Sequence, residues 1–237
     1  MIFRTCMIRV LSLMCCGAAP EAGSLEEAEN KIVERFAEIE SLAATITNEE
    51  SQKSEGKEIS VRIVRQVEWM RKGAAFLYRA QSKATTTRKD GQSTTTREDS
   101  STTVSDGVRV VRLGEEEGRM KATQRNADVT VTPDIKAMLD ELRKDNTLKR
   151  FPDVKVGLDD CYAIQVLPKQ REGSDLLQTM IFFRKDIGLD VRTVVYGKKN
   201  EIIFTSTTTN VKVNPKLPPD RFVLTIPDGV ELMDESR

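Results

Sequence analysis

The 237 residues contain no histidine. That absence excludes a Ser-His-Asp or Cys-His catalytic unit and every His-ligated zinc, copper or iron site. Cysteine is nearly as scarce. Cys6, Cys15 and Cys16 lie in the first sixteen residues and leave Cys161 alone, so the rest of the chain has no partner for an internal disulfide. Net charge is lacking too: 37 Lys+Arg offset 37 Asp+Glu, and no whole-chain field attracts nucleic acid or an anionic surface. Aromatics make up only 5 %, with one tryptophan, so any apolar interior is mainly aliphatic. Walker loops, G-x-G-x-x-G and C-x-x-C are all missing. The carboxylate clusters Asp159-Asp160 and Glu115-Glu116-Glu117 read as solvated turns, the second at a hairpin tip. The expectation is a protein that is not an enzyme, with no metal and no cofactor.

What the sequence does have begins with an address. Arg4 and Arg9 precede a short apolar stretch, Val10 to Cys16, and then Gly17-Ala18-Ala19-Pro20. This is the pattern of a secretory signal peptide over residues 1–23, too short to span a bilayer. It implies a periplasmic protein. Ala22-Gly23-Ser24 offers one cleavage site. Leu13-Met14-Cys15-Cys16 offers a lipobox instead, in which Cys16 becomes a lipid anchor.

Residues 24–237 read as one domain. Ser24 and Glu27 form a capping box, and Leu25, Ala28, Ile32, Phe36, Ile39 and Ala43 follow at helical spacing, predicting a five-turn amphipathic helix. From Glu58 the period changes to two, with Ile59, Val61 and Ile63, then Val67 and Trp69, then Phe76, Tyr78 and Ala80. Residues 82–103 are Ser/Thr-rich. Folded about Asp90-Gly91 they predict a hairpin pairing Thr87 with Thr94, Thr85 with Thr96 and Lys83 with Glu98, or else a flexible polar loop. A second helix is capped by Thr132, with Pro133 in its first turn, and carries the stripe Ile135, Met138, Leu139 and Leu142. Alternation resumes after Phe151-Pro152, and Phe222, Leu224 and Ile226 predict a last strand. Nine to eleven strands with one apolar face each, plus two helices, make an α+β chain. Its antiparallel sheet is large enough to curl and is covered on one side.

Four segments in order resemble the periplasmic LolA-type carriers of outer-membrane lipoproteins. They are Trp69 to Phe76 (WMRKGAAF), Val104-Ser105-Asp106-Gly107, Tyr162 to Lys169 (YAIQVLPK) and Phe222 to Val230 (FVLTIPDGV). The resemblance implies an incomplete, strongly curved β-barrel whose helices lie as a lid over an apolar cavity. It implies a carrier that takes the acyl chains of lipoproteins out of water and delivers them toward the outer membrane. Trp69, Phe76, Tyr78, Ile135, Met138, Leu139 and Leu142 would line the cavity or lid. The family's lid-locking Arg falls at Lys72, which keeps the charge but not the planar fork; Arg71 beside it could substitute, but neighbours on a strand point to opposite faces. Implied partners are acylated lipoproteins or other amphiphiles, an inner-membrane release complex and an outer-membrane acceptor. The same fold also serves lipid-sensing envelope-stress regulators and membrane-anchored acceptors, and a lipidated Cys16 favours the anchored role.

Overall fold

The structure, a computed structural model, describes residues 23–235 apart from 55, 74, 117, 128–133 and 171–174. The leader with Cys16, the predicted Thr132 cap and Pro133 lie outside the described residues.

The chain starts as α1 (Leu25–Ala37), whose N-cap Ser24 accepts a hydrogen bond from Glu27 N at 3.0 Å. The helix is shorter than the predicted five turns. Glu38 caps it, and the chain turns into β1 (Ser41–Ser54), a strand the sequence reading missed. Ile39 and Ala43 fit a helical period, but Leu42, Ala44 and Ile46 also fit a period of two, and pairing on both sides of β1 decides for the strand. Ile39, although past the helix, is 1 % exposed and still plugs the core.

β2 (Lys57–Lys72), β3 (Ala75–Asp90), β4 (Ser93–Ser105), β5 (Arg109–Glu116) and β6 (Arg119–Asn126) form a long meander. The Thr-rich segment is therefore a hairpin, in a register two residues from the predicted one. Asp90 pairs with Ser93 and Thr87 with Thr96, because Gly91 at φ +58° takes the first central position of the turn, where a II′ geometry needs glycine. A shift of two keeps every side chain on its predicted face. Lys83 and Glu98 still form an ion pair, at 2.9 Å, across the diagonal. The Val104–Gly107 motif makes the next turn: the Asp106 carboxylate accepts from Val108 N and Arg109 N at 2.8 and 2.7 Å. Those donors hold its pKa below the ordinary value against the opposing effect of burial.

α2 (Ile135–Asp145) is capped by Asp134 rather than by Thr132, the Asp134 carboxylate accepting from Ala137 N at 2.9 Å. It runs without a loop into β7 (Asn146–Val156), which contains Phe151-Pro152 instead of starting after it. Proline fits because β7 is an edge strand, and the ladder to β8 (Asp159–Pro168) is irregular between Phe151 and Val154. β9 (Leu176–Arg184), β10 (Asp190–Gly197) and β11 (Ile202–Val213) complete a second meander. β11 returns to pair with β1, so the sheet reads β12-β6-β5-β4-β3-β2-β1-β11-β10-β9-β8-β7. Among the described residues it has twelve strands rather than nine to eleven, and it is curved and unclosed.

The predicted last strand at Phe222–Ile226 is absent. Pro218-Pro219 opens a 3-10 turn (Pro219–Phe222) that drives the Phe222 ring among Leu77 and Val104, while the Arg221 guanidinium pairs with Glu68. This strap crosses the sheet face that the helices leave bare and ends in β12 (Leu232–Asp234), the one parallel pairing among the described strands. On the other face both helices pack over a core of Leu42, Val67, Trp69, Phe76, Ile164, Val166, Ile181 and Phe183.

α1 approaches the β9–β10 turn so closely that only glycine fits there. A Cβ on Gly188, at φ +66°, would stand 2.1 Å from Ile32 O and 2.9 Å from Phe36 N. Gly188→Ala is expected to lower stability by about 2–4 kcal/mol through overpacking and left-handed strain, measured by urea unfolding.

Candidate functional site

The seven apolar residues picked from the sequence converge. Trp69 on β2 is 5 % exposed and lies between Phe36 of α1 (centroids 6.0 Å apart) and Phe76 of β3 (5.2 Å), with the ring planes tilted by 43° and 41°. Ile135 and Leu139 are buried under α2, and Met138, Leu142 and Tyr78 pack half-buried against the same cluster. Burial raises the Tyr78 phenol pKa, with Arg65 opposing it. Side chains meeting in this way close the space between lid and floor, and none of the seven lines the larger surface hollows. Those hollows, of about 490 and 540 Å³, are walled by Glu49, Arg62, Thr85, Gln81 and Lys83 together with apolar Val61, Phe204 and Leu113.

The apolar floor extends past the helices. By register, Ile46, Val61, Ile63, Ala84 and Phe204 share the face of Trp69 and are half-buried, and Arg65, Asn48, Glu50 and Ser82 lie among them. This face is an amphipathic trough whose deeper end lies under the lid.

Polar contacts hold that lid. Arg71 Nε donates to Ile39 O at 3.1 Å, just beyond the C-terminus of α1, and Arg71 N donates to Glu40 O at 2.8 Å. Lys72, the position matched to the family's lid lock, is exposed at the end of β2. Alternation turns Arg71, not Lys72, toward the helix-bearing face of Trp69. Lys169 of the Y-A-I-Q-V-L-P-K segment donates from Nζ to Arg143 O and Lys144 O at 2.7 and 2.9 Å, placing a cation at the negative end of α2. The two helices are joined by Arg143 and Glu29, whose carboxylate is 10 % exposed and has one oxygen, Oε1, without a partner. Burial raises the Glu29 pKa, Arg143 pulls it down, and Asp140 and Glu26 add smaller upward pushes. Sequence reasoning preferred Lys72 to Arg71, and it missed Lys169 and the Glu29–Arg143 pair because their partners lie far away along the chain. In the sequence Glu29 stands with Glu26, Glu34 and Glu38 on the charged face opposite the stripe, and the structure buries it against α2 instead.

No protein-family model and no curated protein matches this sequence. Among solved structures, an uncharacterized conserved protein from Thermus thermophilus has a TM-score of 0.50 at 10% identity, covering 89% of this chain and 98% of its own. The MucA/MucB complex of Pseudomonas aeruginosa scores 0.48 at 15% identity, over 84% of this chain and 61% of that one. A LolA superfamily protein from Nitrosomonas europaea scores 0.26 at 8%, over 83% and 98%. At 10% identity the likeness to the Thermus thermophilus structure is one of fold alone. That fold is an unclosed curved sheet with two helices over one face.

Arg143→Ala strands a nearly buried carboxylate and is expected to cost about 1–2 kcal/mol at pH 7. Because the folded-state pKa of Glu29 lies above its unfolded value, its contribution favours folding at low pH and is lost as pH rises through the raised pKa. Glu29→Gln should therefore flatten the stability profile above about pH 4.5, read from denaturant midpoints across pH.

Proposed function

We propose that the protein is a periplasmic carrier that takes up the acyl chains of lipoproteins on the trough beneath its two helices. The observation that carries this reading is the continuity of the apolar floor, from the buried Trp69 cluster to the half-covered strip of Ile46, Val61, Ile63 and Phe204. In the closed form Phe36, Met138, Leu139 and Leu142 occupy the space an acyl chain would take. A chain entering from the open end displaces them, and each CH₂ it buries contributes roughly 0.8 kcal/mol. The cost is lid opening, set by the Arg71, Lys169 and Glu29–Arg143 contacts. Closed and open lids then form a two-state equilibrium that an acyl ligand biases through its higher affinity for the open form.

Partners follow from the cargo: acylated proteins, a membrane complex that releases them and an acceptor that receives them. Residues 1–23 would export the chain, with a lipid on Cys16 turning the carrier into an anchored acceptor.

The test uses a fluorescent diacylated peptide and a set of lid variants. Leu142→Asp, half-buried and so tolerated by the fold, should weaken binding by about tenfold or more, since a buried carboxylate in the trough must be desolvated. Arg71→Met should open the lid and tighten binding about threefold, while Lys72→Ala leaves it unchanged. Normal binding by Leu142→Asp would sink the acyl-trough reading.

A further inference from the structure

At the N-terminus of α1 is a smaller hollow of about 150 Å³. Its walls are Gly23, Ser24 and the first two turns of α1, together with side chains from β7, β8 and the β9–β10 turn. Three cations meet there. Arg150 stacks over the Tyr162 ring, with its guanidinium carbon 4.8 Å from the centroid, and Lys185 Nζ lies 5.1 Å from the same centroid. Lys31 comes from α1, where it pairs with Glu27 at 2.6 Å. Asp153 bridges Arg150 and Lys185, one carboxylate oxygen to each.

Two features set this cluster apart from an ordinary charged surface. The Arg150 side chain is 8 % exposed, and its Nε and Nη1 have no hydrogen-bond partner. A guanidinium is seldom buried with two nitrogens unused, because the lost hydration must be replaced. Burial accordingly pushes the Arg150 pKa down, with Tyr162 and Glu27 opposing. The site also faces the first turn of a 13-residue helix, whose free N–H groups carry partial positive charge. Lys31, Arg150 and Lys185 against Glu27 and Asp153 leave one uncompensated positive charge.

We propose that this hollow binds a phosphate group, with Lys31, Arg150 and Lys185 as its cationic ligands and Asp153 holding its place when it is empty. The phosphate enters between the two lysines and takes over the bridge between Arg150 and Lys185, and the Asp153 carboxylate swings out to solvent. A free phosphate and a phosphate carried on a lipid headgroup offer the same chemistry.

The experiment follows backbone amide resonances of the full chain during titration with inorganic phosphate. A parallel titration uses phosphatidylcholine vesicles with and without phosphatidic acid. A saturable response confined to residues 23–31, 150–153 and 185 is expected. Inorganic phosphate alone producing it identifies a free-anion site, and a response only to phosphatidic acid vesicles identifies a headgroup site. Lys31→Gln combined with Lys185→Gln should weaken binding about tenfold or more, Asp153→Asn should tighten it, and Lys198→Gln on a distant turn should do neither. All four positions are exposed or partly exposed, so these variants leave the core intact. Shifts that spread over surface lysines without saturating, or that survive the double substitution, would overturn the proposal.

Discussion

An open sheet with one apolar face must have that face covered, and everything else in this protein follows from how it is done. A closed barrel would bury its floor against itself; this sheet, with free edges at β7 and β12, does not. Trp69, Phe76 and Phe183 would otherwise face water. α1 and α2 supply the cover, while Phe222 and its strap perform the same service on a smaller patch of the opposite face. The two covers differ in kind. The strap is anchored at both ends, by Arg221–Glu68 and by the β12–β6 ladder. Among the described residues the helices are held at their carbonyl ends by Arg71 and Asn214 for α1 and by Lys169 and Asn146 for α2, and to each other by the Arg143–Glu29 ion pair. A cover held by so few polar contacts is the element of the molecule best suited to move.

How much of this was legible beforehand depends on how far apart the contacting residues lie in the chain. The Ser24 cap of α1, the stripes of both helices and the two-residue alternation in β2, β3 and β8 are local facts and were read correctly in kind, while the cap of α2 fell two residues from the expected Thr132. The meeting of Trp69, Phe76, Tyr78, Ile135, Met138, Leu139 and Leu142 in one cluster was also recoverable, because apolar residues on amphipathic elements join a shared core. What failed was decided by tertiary pairing. Ile39 and Ala43 continue a helical period, yet β2 and β11 claim the segment from both sides. Phe222, Leu224 and Ile226 alternate as a strand would, yet the diproline turns the chain across the sheet face, where Phe222 acts as a peg against Leu77 and Val104.

The lid contacts show the same limit more sharply. A resemblance in short motifs pointed to Lys72, while the pleat turns its neighbour Arg71 to the helix side. One residue of register on a strand exchanges one face for the other. Lys169 belongs to a motif legible in the sequence, but its task of capping α2 appears only when β8 lies against the end of that helix. Glu29 and Arg143 are 114 residues apart.

The pairing of β1 with β11 has a consequence in time as well as in space. These strands form the seam at the middle of the sheet, and 164 residues separate partners such as Thr45 and Thr209. Each meander can zip locally as it is made, but neither half shares the common core until the last strands arrive. Contacts of such sequence separation are closed late and slowly. A chain emerging from a ribosome therefore stays without its finished core until almost its full length has been synthesised.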